Sequence, residues 1–208
     1  EKFPSEIELQ INGKNHSWNV SNNNTKINTI DWNILSEYDP SARCKLYKDL
    51  HILLKKLSFK ERSKVLTTIA KIISQQENAR SSHRTIYKDE LVSMAASDYV
   101  TIGAHTRTHP QLSNLNFNEQ KQEILSSKET LEKLLKQSVS VFAYPFGSKA
   151  DYDMNSVSIC RQLNFSRVVS TFPGQFHSWT DSMQIPRQVV RDWDKNTFKK
   201  QINYFLSN

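Results

Sequence analysis

Apolar and polar residues alternate at the start of the chain: Ile7, Leu9 and Ile11 are separated by Glu8 and Gln10, and KNHSWNV follows Asn12-Gly13. A period of two marks a half-buried strand, and Asn-Gly accepts the positive φ angles of a type I′ turn, so residues 7 to 20 are predicted to form a β-hairpin. The Asn-rich continuation from Ser21 to Asn28 reads as a loop. The period then changes to that of a helix, with Leu46, Leu50, Leu53, Leu54 and Leu57 on one stripe. Ser58 and Glu61 form a capping box before a second helix carrying Val65, Leu66, Ile69, Ile72 and Ile73. The two are expected to form a helical hairpin whose apolar stripe is core. The polar, helix-ending stretch Gln75 to Ser82 is the expected boundary, dividing an accessory region, 1–80, from a second region, 81–208.

From there the chain alternates in the α/β manner. A helix from Lys88 to Ala96 precedes a short run containing Val100, Ile102 and Ala104, which predicts a strand buried between layers. Asn116 and Glu119 cap a helix with Ile124, Leu131, Leu134 and Leu135 on its apolar side. Strands are then expected at Val139–Tyr144, Arg167–Thr171 and Gln188–Val190, with helices at Met154–Leu163 and Asn196–Leu206. Such alternation argues for parallel strands with helices packed outside, but these strands are too few to close a barrel alone.

Where the first of these strands should end, His105 and His109 stand four residues apart in IGAHTRTHP, and FAYPFG follows at 142–147. Neutral imidazoles are the commonest metal ligands, and strand C-termini are where α/β folds place their sites. Pro110 disfavours a helical His109, and Thr106 stands where the glutamate of H-E-x-x-H would be, so a helical zinc peptidase is disfavoured. The bland alternative is a pair of histidines hydrogen-bonded near a surface turn. A metal site needs a third ligand and a base besides.

Composition narrows the field further. With 37% apolar residues in 208 the chain has enough to bury a core, and no run approaches the length of a membrane span. Cys44 and Cys160 have no C-x-x-C partner, so buried free thiols are expected rather than a thiolate site. The net charge of +7 comes mostly from basic residues spread among acidic ones, the pattern of a solvated surface, so no nucleic-acid partner is expected. Only Arg187, Arg191, Lys195, Lys199 and Lys200 concentrate, a distribution suited to an anionic ligand.

IGAHTRTHPQLSNL resembles the H-[ST]-x-x-H metal-binding motif of the polysaccharide deacetylases, the NodB-homology or carbohydrate esterase family 4 enzymes, and FAYPFG resembles their Y-P-[YF]-G segment. STFPG at 170–174, IPR at 185–187 and VRDWD at 190–194 are similar to later segments of that family, so the resemblance covers about Thr85 to Leu206. It implies part of a distorted (β/α)7 barrel and a divalent metal, zinc above all, held by His105, His109 and an aspartate. It further implies an oxyanion donor in the backbone N–H of Tyr144, orienting roles for Arg187 and Asp192, and substrate contacts from Pro145, Phe146 and Trp193. A buried, packed Trp193 is the plain alternative. The family's early T-F-D-D motif, source of the base and the third ligand, has no counterpart here, since no Asp-Asp pair occurs. The L-x-H segment that carries a general acid in many members is missing too. This chain is therefore expected to be the C-terminal part of a longer enzyme acting on an acetylated polysaccharide, with self-association through exposed strand edges. The competing expectation is a non-catalytic module that binds metal or glycan through the same histidines. No cellular compartment follows from the sequence.

Overall fold

The initial alternation folds as an antiparallel hairpin, β1 (Glu6–Ile11) with β2 (Lys14–Asn19), in a computed structural model that describes residues 4–21, 32–73 and 81–207. Asn12 at φ 51° and Gly13 at φ 72° supply the two positive φ angles of its turn. Most of the Asn-rich loop, from residue 22, and residues 75–80 of the expected boundary lie outside the described residues. The chain divides into two compact units, Glu1–Arg84 and Thr85–Asn208.

In the first unit, α1 (Ala42–Lys55) starts at Ser41, whose hydroxyl accepts from the Cys44 N–H, and α2 (Phe59–Ile72) starts at the Ser58–Glu61 capping box. The helices do not bury their stripe mainly against each other. Instead α2 packs on β1 and α1 on β2, so Leu46, Leu57 and Val65 share one core with Ile7, Leu9 and Ile11. Trp18 Nε1 donates to Asp49 at 3.0 Å, tying β2 to α1. Leu66, expected on the stripe, is 49% exposed.

The second unit is α/β. It runs through α3 (Lys88–Ala95), α4 (Phe117–Leu135), β3 (Val141–Ala143), α5 (Met154–Gln162), β4 (Arg167–Val169) and α6 (Lys195–Ser207). Strands β3 and β4 are parallel, with Phe142 opposite Val168. Single parallel bridges, Ala104 to Phe142 and Val169 to Ile185, add one extended segment on each side, so neighbours in the sheet follow chain order. One face is buried: Ala104, Phe142 and Val168 pack with Ile124 of α4 and Val157 and Ile159 of α5. The other face, including Gly103, Val141, Ala143, Val169 and Ile185, lines an open cleft of about 570 Å³.

Two expectations are corrected. The histidine segment is extended but bridged only at Ala104, and Thr101 and Gly103 are exposed, so it is not a strand buried between two layers. Its alternation serves one covered side and one open side. Gln188–Val190 is not a strand; Val189 and Val190 are 60% and 55% exposed, and the fourth extended segment pairs earlier, at Ile185, where a buried neighbour exists. Both sheets among the described residues have two strands and neither closes, in keeping with strands too few to form a barrel alone.

Phe142 lies at the centre of the buried face, 2% exposed, with ring contacts to Tyr144 and Phe165. Replacing it with alanine should lower the unfolding free energy by about 3–5 kcal/mol, read from urea denaturation followed by near-UV circular dichroism.

Candidate active site

The two histidines are brought together by the pairing of Ala104. Its N–H donates to Val141 O at 2.9 Å and its carbonyl accepts from Ala143 N at 3.0 Å, which sets the residue after it beside the end of β3. His105 Nδ1 is 2.8 Å from Ala143 O. A carbonyl can only accept, so Nδ1 carries a proton, and it is Nε2 whose lone pair would bind a metal. The His109 ring lies 4.8 Å from that of His105, centroid to centroid, and 4.7 Å from Phe146, both edge to face.

The connecting loop is unusual backbone. Thr106 has φ 61° and His109 has φ 56°, a region that non-glycine residues seldom occupy and β-branched ones least of all. The Thr106 hydroxyl spans the loop, donating to His105 O at 2.5 Å and accepting from His109 N at 3.1 Å. Glu123 of α4 holds the outer side: one carboxylate oxygen accepts from Arg107 N and Thr108 N at 3.0 and 2.9 Å, the other from Thr108 Oγ1 at 2.8 Å.

FAYPFG makes the facing wall. Gly147 N donates to Pro145 O at 2.6 Å, closing a three-residue turn over Phe146, whose φ is 59°. Thr171 of STFPG clamps the turn, donating from Oγ1 to Phe146 O at 2.7 Å and from N to Gly147 O at 2.8 Å. A Cβ on Gly147, at φ 74°, would stand 2.9 Å from the Thr171 backbone nitrogen, so a glycine is required there.

Tyr144 is tied into both the sheet and the core. Its N–H donates to Val169 O at 3.1 Å, which spends it in the sheet. Its ring is buried, stacked on Tyr152, and its hydroxyl donates to Met183 O at 2.9 Å. Burial, with Cys160 beside it, pushes the phenol well above its usual range, and burial pushes the Cys160 thiol up to about 12. Neither is a nucleophile at neutral pH.

Arg187 Nε donates to Ser170 O at 2.5 Å and its backbone N to Phe172 O at 3.1 Å, bracing STFPG. Asp192 is exposed. Trp193 packs 6.3 Å from Phe205 of α6 and is partly buried. Asp153 is the N-cap of α5, and Asp151 accepts from Ser148 N at 3.0 Å and Ser148 Oγ at 2.6 Å. Among the described residues, no group of three or more His, Cys, Asp or Glu is placed to hold a metal ion. None of these aspartates therefore completes the histidine pair. Glu123 and Thr171 each shape one wall; Thr171 lies within STFPG, where no role was expected of it, and Glu123 lies in none of the motifs. Glu123's signal was its place on the inward side of α4, one residue before buried Ile124.

A model of the polysaccharide deacetylases matches residues 53–168, more than half of the chain. The chain belongs to the polysaccharide deacetylase family. The match begins within α1, earlier than the motifs alone suggest, and includes both histidines and FAYPFG. Among solved structures, the fold is similar to that of the deacetylase PplD of Streptococcus pyogenes, at 21% identity and a TM-score of 0.52, covering 66% of this chain and 63% of that one. Lower scores are found with the putative polysaccharide deacetylase BA0330 of Bacillus anthracis, at 24% identity, TM-score 0.44, and 50% and 32% of the two chains. IcaB of Ammonifex degensii gives 16% identity, TM-score 0.47, and coverage of 69% and 67%. The chain thus spans less than two thirds of the length of PplD. Comparison with curated proteins gives no match.

Thr106→Val keeps the shape and removes both hydroxyl bonds, and should cost roughly 1–3 kcal/mol in thermal unfolding. Thr106→Ser keeps the hydroxyl without the β-branch and is expected to stay within about 0.5 kcal/mol of the parent.

Proposed function

We propose that this chain contributes the metal-binding half of a deacetylase active site acting on an acetylated carbohydrate polymer, with N-acetylglucosamine-containing chains as the substrate class. The observation that carries the reading is the histidine pair: two adjacent imidazoles in a family whose motif they match, with the His105 tautomer fixed by Ala143 O so that Nε2 is available.

The donor chemistry fits a divalent ion such as zinc, for which neutral imidazole nitrogen is a preferred ligand. His105 and His109 would hold it, and an aspartate of the kind found in the T-F-D-D motif, which this sequence lacks, would be the third ligand. When bound, the ion supplies polarisation of a water and of the acetyl carbonyl. The protein's own groups do the rest. Phe146 packs against His109 and gives an apolar wall beside the pair, suited to the acetyl methyl and to limiting water. The oxyanion donor that the resemblance implies is the Tyr144 N–H, which is bonded to Val169 O and would have to be freed to serve. Arg187, which braces STFPG through Ser170 O, and Asp192 would take the orienting roles that the resemblance implies. Basic residues from Arg187 to Lys200 favour polymers that carry negative charge.

A second reading, a binding module without catalysis, is favoured by the absence of a third ligand beside the histidines among the described residues. Alanine at His105 or His109, in the protein as its source cells produce it, separates the two. A deacetylase should lose bound zinc and release of acetate from N-acetylglucosamine oligomers together. Unchanged acetate release in either variant would overturn the reading, and glycan affinity that survives loss of zinc would favour the module.

A further inference from the structure

Glu123 is sixteen and fifteen residues from the two amides it holds and comes from a different element, yet it binds only the stretch between the histidines. We infer that Glu123 is the positioning residue of the pair, setting where His109 stands relative to His105.

The argument begins with how differently the two rings are fixed. His105 follows directly from the sheet through Ala104 and is bonded at Nδ1 to Ala143 O. His109 follows four residues later, after a loop that turns through φ 61° at Thr106 and reaches φ 56° at His109 itself. A backbone held in a sparsely populated region persists only where its surroundings over-determine it. The Thr106 hydroxyl ties the loop's two ends to each other but to nothing outside it. Glu123 supplies the outside reference. A carboxylate accepting two successive backbone N–H groups makes charge-assisted bonds, stronger than those between neutral partners. The added hydroxyl of Thr108 on the second oxygen fixes the rotation of the carboxylate plane. The anchor is itself rigid: α4 begins at the Asn116–Glu119 capping box, and the residue after Glu123, Ile124, is fully buried in the core. The loop between the histidines is thus referenced to the same helix that packs beneath the sheet carrying His105. Helix and sheet together define the distance between the two ligands.

This inference rests on the reading of the pair as a metal site, and it separates geometry from charge. In Glu123→Gln, the amide oxygen can still accept both N–H groups, and the amide nitrogen can donate to Thr108 Oγ1 once that hydroxyl turns round. Glu123→Ala removes all three bonds. Glu123→Asp keeps the charge but draws the carboxylate back by one methylene.

The test uses the full protein that contains this chain. Titration with Co²⁺, followed by its visible absorption, should show affinity falling by about 10–100-fold for Glu123→Ala and Glu123→Asp, and staying within about 3-fold for Glu123→Gln. Imidazole ¹H–¹⁵N spectra of the metal-free protein give an independent reading. His105 should remain the Nδ1–H tautomer in every variant, while His109 loses the ring-current shift from Phe146 in Glu123→Ala and Glu123→Asp only. A Glu123→Ala protein with unchanged His109 resonances, or a Glu123→Gln protein as impaired as Glu123→Ala, overturns the inference. If the parent protein takes up no Co²⁺, the proposed function fails, and the His109 resonances alone decide whether Glu123 positions the pair.

Discussion

Two backbone hydrogen bonds at Ala104 govern the second unit. They join the segment that ends in the histidine loop to the strand that ends in the Tyr144–Gly147 turn, and without them the two walls of the site have no common frame. The pairing also explains a small residue nearby. A Cβ at Gly103 would come within 2.9 Å of Val141 Cγ2 and 3.2 Å of its carbonyl, so close approach of the two segments depends on that glycine. Everything the histidines touch is fixed relative to this contact: Ala143 O bonds one ring, and Phe146, three residues further on, packs on the other.

Around that frame, polar side chains hold backbone that would otherwise have no regular structure. Thr106 closes the histidine loop, Thr171 closes the facing turn, and Arg187 braces the segment carrying Thr171. A trio beneath, with Gln120 and Ser156 buried, in which Ser156 Oγ donates to Gln120 Oε1 at 2.6 Å and Gln120 Nε2 lies 3.3 Å from Asp153, links the starts of α4 and α5. Buried polar groups of this kind are tolerated because each finds a partner, and they fix one arrangement of the two helices.

Local signals in the sequence carried much of this. Asn12-Gly13 specified a turn, Ser58–Glu61 and Asn116–Glu119 specified helix starts, and each works through atoms three or fewer residues apart. The histidine pair was legible for the same reason. What the pattern of residues left open depends on partners far along the chain. Val189 and Val190 have strand-forming side chains, but Ile185 makes the parallel bridge to Val169. Tyr144 stands in the motif that family resemblance links to catalysis, yet its N–H is taken by Val169 O, twenty-five residues away. Glu123 reads as an ordinary helix carboxylate until the loop it holds is in place. The family match starting at residue 53 lies likewise outside the motifs, within a leucine stripe that hydrophobic periodicity alone describes as core.

Both cysteines of the chain, Cys44 and Cys160, are buried and unpaired, and the second has its thiol pushed up to about 12. Alkylating reagents act on exposed thiolates. A cysteine introduced on the open surface can therefore carry a spin label or fluorophore selectively while both native residues stay, and the movement of a chosen loop can be followed in an otherwise unaltered chain.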